Sequence, residues 1–417
     1  MKLAPILLIM FSLIPMIIVY ANFLFPLFLL APFFSLPLLL ILKTQDVGTW
    51  SIAFQILCLA AGLAKLARDA QNIVFEVNSF SIFLLLIICL YGYLIPQTNA
   101  TPFIVKLIAI KSLLLPVVFA LVASTIKNSI YISNFVKVVF WINIANSLAG
   151  IIQLRLGTQK LIALGLPYGT QIREFNEGRV RALGLSLTNF EFSLFTGVTA
   201  LLCYAVFTKV ILVGQVSRAF AFIAFIFSLI SMYTSITRQG ILLPLVGIVI
   251  MELGRPKNAL RILGQFYILA LSSLIISYIE AVFFRSESLF GRFALWAQLV
   301  REYNVFLGNG IGFCGGATSS SYAKNISQIF VDNYYLSVLL QVGFFGLILY
   351  LFSLFVFFNK TNIFGKAILV SILTTSLITE FWDYTSVASL SLILIKILGQ
   401  NSADLPNVNR RYTVNAV

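Results

Sequence analysis

Arg238, Arg292 and Asp332 are the residues whose types and settings point most directly to chemistry. Arg238 closes the turn Tyr233-Thr234-Ser235-Ile236-Thr237-Arg238 and precedes Gln239-Gly240, between two apolar runs. An arginine there either snorkels to a membrane interface or meets an anion. Arg292 sits in LFGRFALWAQLVREY, where residues 289, 293, 296 and 300 share one helical face and Arg292 lies on its edge. An arginine against the apolar side of a short helix needs a buried partner; Arg285 falls nearly above it, two turns earlier. Asp332, in Val331-Asp332-Asn333-Tyr334-Tyr335, opens the apolar run LSVLLQVGFFGLILYLF. It is either a helix-N-terminal carboxylate favoured by the helix dipole or a general base. The chain has no histidine, so a carboxylate is the natural group to deprotonate a hydroxyl. Glu191, Glu380 and Asp383 are the other acids considered for that role.

More arginines surround these. The stretch REFNEGRVRALGLSLTNF carries Arg173, Arg179 and Arg181, and Arg301 follows Arg292. Two readings stand for the first group: ion pairs with Glu174 and Glu177, or a grip on an anion. The guanidinium fork binds phosphate bidentately, and each charge-assisted bond of this kind contributes about 1.5–3 kcal/mol. The run GNGIGFCGG either brings backbone N–H groups up to a phosphate or is a plain flexible loop. Without histidine, His-based catalysis and most zinc sites are excluded. Cys58, Cys89, Cys203 and Cys314 are isolated in sequence, which argues against a disulfide framework or a cysteine metal site. No metal and no cofactor is expected.

The elements that must position these residues are membrane spans. Of the 417 residues 60% are hydrophobic and 10% charged, with mean hydropathy +1.00, against about 25% charged in soluble chains. At roughly 20 apolar residues per span, the runs 4–20, 23–42, 80–96, 103–126, 134–153, 186–206, 214–236, 239–254, 262–284, 332–358, 364–380 and 384–399 make about twelve spans, give or take one. Residues 4–20 read as the first span rather than a removed signal peptide. The segment 52–67, with Gln55 and Lys65, reads as an interfacial or re-entrant helix. The expected architecture is an all-α polytopic membrane protein. It divides into N-terminal spans (1–153), an Arg-rich loop (154–185), central spans (186–284), a large loop (285–331), C-terminal spans (332–399) and a tail (400–417).

Basic residues set the expected orientation. Arg255, Lys257 and Arg261 crowd one short loop, Lys360 and Lys366 another, and Arg410 and Arg411 the tail. Placing these in the cytoplasm puts both termini there. The outer cations are then Arg155, Lys160, Arg173, Arg179, Arg181, Arg238, Arg285, Arg292, Arg301 and Lys324, nearly all arginine. Orientation needs none of them, so an anionic, phosphorylated ligand presented from the membrane is the expected partner. The net charge of +14 follows from this topology and is not read as a nucleic-acid signal.

Taken in order, these features resemble the O-antigen polymerase/ligase superfamily, the Wzy-type polymerases and the O-antigen ligases. An Arg-rich loop ends R-x-L-G, an outer turn reads T/S-x-x-R-x-G, and a large loop holds R-x-x-x-W. That loop closes on G-x-G and D-N-Y-Y before a span with Q-V-G-F-F-G. The likeness covers roughly 150–358, and the hydropathy plan fits throughout. It implies a GT-C-like glycosyltransferase without metal or nucleotide sugar, acting on undecaprenyl-diphosphate-linked oligosaccharide at the outer face of a bacterial inner membrane. It implies diphosphate binding by Arg238 and Arg292, supported by Arg173, Arg179 or Arg181, with Arg285, Arg301, Trp296, Asn333 and Tyr334 lining the substrate. The pairs Arg173–Gly184 and Arg301–Gly312 match an R-x10-G pattern described for the polymerases. Ligases carry a histidine where this chain has Asp332, so polymerisation of repeat units into surface polysaccharide is the expected activity. A chain-length regulator and a flippase are the associated partners.

Two rivals stay open. A ligase or related glycan transferase would share the donor and differ in the acceptor. A flippase or carrier would show repeated halves and mid-membrane charge; Lys111, with Lys106 a turn away, is the deep charge to consider.

Overall fold

The structure is a computed structural model describing residues 20–41, 47–68, 78–95, 101–126, 128–166, 168, 172–175, 179–254, 288–315, 331–358 and 361–399. In chain order the elements are α1 (Ala21–Leu30), a 3-10 turn (Ala31–Phe33), α2 (Leu36–Ile41), α3 (Val47–Arg68), α4 (Asn78–Leu94), α5 (Phe103–Ser124) and α6 (Ser129–Ala163). Then come β1 (Arg173–Phe175), β2 (Arg179–Arg181), α7 (Asn189–Phe207), α8 (Arg218–Ser235) and α9 (Arg238–Leu253). The last are α10 (Ser288–Glu302), α11 (Tyr334–Phe358), α12 (Ile363–Thr375), a 3-10 turn (Phe381–Asp383) and α13 (Thr385–Leu398).

The centre of the bundle is α7. It is mostly apolar, its polar residues included in the packing, and is buried along almost its whole length, as a helix lacking a solvent-facing polar stripe must be. Ser193, Thr196, Gly197 and Ala200 narrow it, and α8 and α9 pack directly on it. A Cβ on Gly197 would stand 3.1 Å from Gly240 O, the small-residue approach by which helices associate in lipid. Helix starts follow their capping residues. Thr188 Oγ1 accepts from Glu191 N at 3.1 Å, Ser217 Oγ from Phe220 N at 3.2 Å and Asn362 Oδ1 from Gly365 N at 3.0 Å.

Among the described residues, α5, α6, α7, α8 and Tyr334–Val356 of α11 are long and apolar enough to cross a membrane, with shorter apolar helices beside them. The chain is a mainly helical, multi-pass membrane protein.

Several local expectations change. The run 23–42 is broken: α1 stops at Leu30, Pro32 sits in the 3-10 turn, and α2 begins at Leu36, because a proline breaks the helical hydrogen-bond ladder. The span expected to end at 153 continues as α6 to Ala163, bending at Gly157, so Arg155 and Lys160 belong to a helix. Further along, β1 and β2 pair antiparallel, with Arg173 opposite Arg181. The segment 364–380 is helical only to Thr375. Segment 52–67 lies within α3, packed along α1, with Lys65 Nζ donating to Asn22 Oδ1 at 2.8 Å. Residues 4–19 of the first expected span, the expected span 262–284 and the tail 400–417 lie outside the described residues.

The glycine run after α10 is stitched into a break in α11. Gly343 sits at φ 72 and interrupts that helix. Asn309 N and Gly310 N donate to Leu340 O and Gln341 O at 2.8 and 2.9 Å, while Phe344 N donates to Val305 O at 2.9 Å. A broken helix leaves orphaned backbone groups, and at membrane depth these must find partners inside the protein. Residues 305–310 supply them.

Candidate functional site

Three separate segments meet at the end of the bundle where α9 and α11 begin. The first is the α8–α9 turn. Ile236 ends α8 in the left-handed conformation (φ 47) and donates its N–H to Met232 O. A β-branched residue there carries strain of roughly 1–2 kcal/mol, held by burial of Ile236 and by contact between the Thr237 and Ser193 hydroxyls. A Cβ on Gly240 would overlap Ser193, so the Arg238-x-Gly240 spacing lets α9 lie close on α7 with Arg238 at its first position.

The hairpin lies over this turn. Ala182 N donates to Thr234 O at 3.0 Å, and the Arg179 guanidinium sits 4.4 Å from the centre of the Tyr233 ring. Its base is clamped by Gln153 on α6, whose Oε1 accepts from Leu183 N and Gly184 N at 2.9 Å each and whose Nε2 donates to Gly184 O at 2.6 Å. Gly184 has φ 59, and a Cβ there would stand 2.5 Å from Asn146 Oδ1.

The second segment is α10. Its buried side carries Leu299, with Trp296 beside it, packed against Cys314, Val331, Leu336 and Leu340. Phe293 and Val300 are exposed, so the inward face is rotated from the 289/293/296/300 stripe read in the sequence. Arg292 lies one helical turn before Trp296 on the inward side.

The third segment enters α11. Asn333 Oδ1 accepts from Leu336 N at 3.1 Å and caps the helix. Asp332 Oδ2 lies 2.8 Å from Arg292 Nε, with the two side chains 25% and 35% exposed. Arg238 lies within electrostatic reach of both. Burial lowers its pKa, the Arg292 guanidinium lowers it further, and Asp332 acts in the opposite sense. Two guanidinium groups thus share one carboxylate in a half-open setting, which suits an added anion.

The other expected site residues are distributed as follows. Arg179 and Arg181 lie on β2, with Arg181 Nε buried; Arg173 faces Arg181 across the hairpin. Trp296 packs edge-on to Phe293 at 5.0 Å. Tyr334 is buried in ring contact with Tyr350 and Trp382, at 5.7 and 6.2 Å. Arg301 is exposed on α10, about two and a half turns past Arg292 and so on the opposite side. Arg285 lies outside the described residues. Of the glycine N–H groups, Gly310 donates to Gln341 O at the helix break, Gly312 to the Gln341 side-chain Oε1, and Gly308 to Asn304 O within its own turn.

Sequence reasoning treated Lys111, Glu191, Glu380 and Asp383 singly. The structure brings them together, with Lys111 in electrostatic contact with Asp383 and Glu191. The available signal was an ammonium and a carboxylate within apolar helical runs.

No family model, curated protein or solved structure matches this chain.

Proposed function

We propose that this membrane protein is a glycosyltransferase of about twelve spans and GT-C-like plan, with both termini in the cytoplasm. It polymerises undecaprenyl-diphosphate-linked oligosaccharide into surface polysaccharide at the outer face of a bacterial inner membrane. The carrying observation is the meeting of Arg238 and Arg292, from separate helices, beside Asp332.

The partly exposed Arg292–Asp332 pair contributes only about 0–1 kcal/mol, so a diphosphate with several charge-assisted contacts displaces the carboxylate from Arg292. Donor binding therefore frees Asp332 as the base. Asp332 takes the proton of a sugar hydroxyl on the second lipid-linked unit, whose oxygen bonds to the anomeric carbon of the donor. The anomeric C–O bond breaks, and its electron pair goes to the diphosphate, where Arg238 and Arg292 stabilise the developing charge. One displacement inverts the anomeric centre.

The test uses purified protein and an undecaprenyl-diphosphate oligosaccharide as sole substrate. A ladder of lipid-linked multiples supports polymerisation. Transfer only when lipid A–core is added replaces it with ligation. Substrate movement across vesicles without transfer replaces it with transport.

A further inference from the structure

A second polar constellation lies deeper along α11, and the displacement described above makes no use of it. Lys111 stands about 12 Å of helix rise beyond Phe103, the first residue of α5, and contacts Asp383 and Glu191 electrostatically. Glu191 is 5% exposed, and its Oε2 has no hydrogen-bond partner among the described residues. A Cβ on Gly315 would lie 3.0 Å from Ser337 Oγ, 3.2 Å from Glu380 Oε1 and 3.3 Å from Asp383 Oδ2. These three side chains therefore converge on one point. Beside them is a small cavity whose polar lining is Ser112, Cys314, Tyr334, Gln341 and Asp383. Glu191 and Glu380 are buried, whereas Lys111 and Asp383 are partly exposed, which makes Asp383 the most accessible of the three carboxylates.

The titratable groups facing this point come from every surrounding element. Lys111 comes from α5, Glu191 from α7, Cys314 from the segment after α10, and Tyr334 from α11 with Cys89 of α4 behind it. Glu380 and Asp383 come from the turn before α13. Glu380 Oε1 and Asp383 Oδ2 lie beside the same point and Glu191 is buried near them, so ionising all three would set like charges side by side in the interior. Buried charge of that kind is neutralised rather than tolerated, and neighbouring carboxylates do so by sharing protons. A metal ion is the other neutraliser, but no group of three His, Cys, Asp or Glu among the described residues is arranged to hold one.

We propose that Lys111, Glu191, Glu380 and Asp383 form a proton-binding site, loaded and emptied through Asp383 at the end of the bundle that carries Arg292 and Asp332. In the transferase reading Asp332 takes the hydroxyl proton first, and this site would receive it from Asp332 afterwards. That use rests on the transferase reading; the proton site itself does not.

Infrared spectroscopy of the full chain in lipid nanodiscs reads protonated carboxyl groups directly. At pH 7 exposed carboxylates, with pKa values near about 4, are ionised, so a protonated-carboxyl band there reports a buried shared proton. The expected band shifts on deuteration, is lost in Glu191→Gln and in Asp383→Asn, and grows in Lys111→Met. Asp383→Asn alters a partly exposed side chain and decides the matter if Glu191→Gln fails to insert. No band at pH 7 overturns the proposal. So does a band unchanged in Asp383→Asn, which would then belong to another buried acid such as Glu252, the acceptor for Tyr204 Oη at 2.7 Å. A band that behaves as expected in a protein without glycan transfer upholds the proton site and removes the transferase reading.

Discussion

Arg292 Nε and Asp332 Oδ2 lie 2.8 Å apart and join the inward side of α10 to the start of α11. Arg238 adds a second guanidinium from the start of α9. In the proposed mechanism the carboxylate restrains the cationic pair until the diphosphate displaces it.

That arrangement separates binding from turnover. Arg292→Ala should weaken retention of undecaprenyl diphosphate about 10- to 100-fold, from the loss of one charge-assisted contact of roughly 1.5–3 kcal/mol, and should abolish polymer. Asp332→Asn should also abolish polymer but bind the diphosphate more tightly, since its competitor at Arg292 is gone. Equilibrium binding beside a gel assay reads both; weaker binding in Asp332→Asn would sink the displacement step.

The break in α11 is equally exposed to test. Gly343 holds φ 72, and a Cβ there would overlap Phe306 O. Gly343→Ala should cost at least ~1–3 kcal/mol from backbone strain and release residues 305–310 from the helix. Thermal unfolding in detergent should begin at lower temperature, with earlier protease cleavage around Phe306. An unchanged melting profile would count against the stitched break.

Cys314 gives a pH test outside the spans. Burial raises its thiol pKa; the Ser337 bond opposes this and the Glu380 and Asp383 charges add to it. A raised thiol pKa keeps the sulfur protonated through neutral and mildly alkaline pH, and only the thiolate reacts. Mass spectrometry should find Cys314 unalkylated by iodoacetamide at pH 8 in the native protein and labelled after denaturation. Rapid native labelling would show that the segment 311–315 does not pack on Ser337.

The sequence by itself determined the membrane setting, because long apolar runs have few other stable environments. The helix starts after Thr188, Ser217 and Asn362 are also local, each set by a capping side chain and a nearby N–H, although the expected runs began at 186, 214 and 364. The sequence singled out Arg238, Arg292 and Asp332 because charge beside an apolar run is costly unless it has a use. Their meeting was beyond it, since the three stand on segments far apart in the chain. The same limit hid the hairpin over Tyr233, the orientation of α10, which is set by Leu336 and Leu340 of α11, and the fate of the glycine run. Those N–H groups read locally as a phosphate cradle or a loose loop, but Gln341, beside the break at Gly343, takes the N–H groups of Gly310 and Gly312 from across the fold. The Lys111–Glu191–Asp383 grouping is the clearest case. Periodicity shows one charge at a time, whereas tertiary packing decides which charges share a low-dielectric interior and must be balanced together.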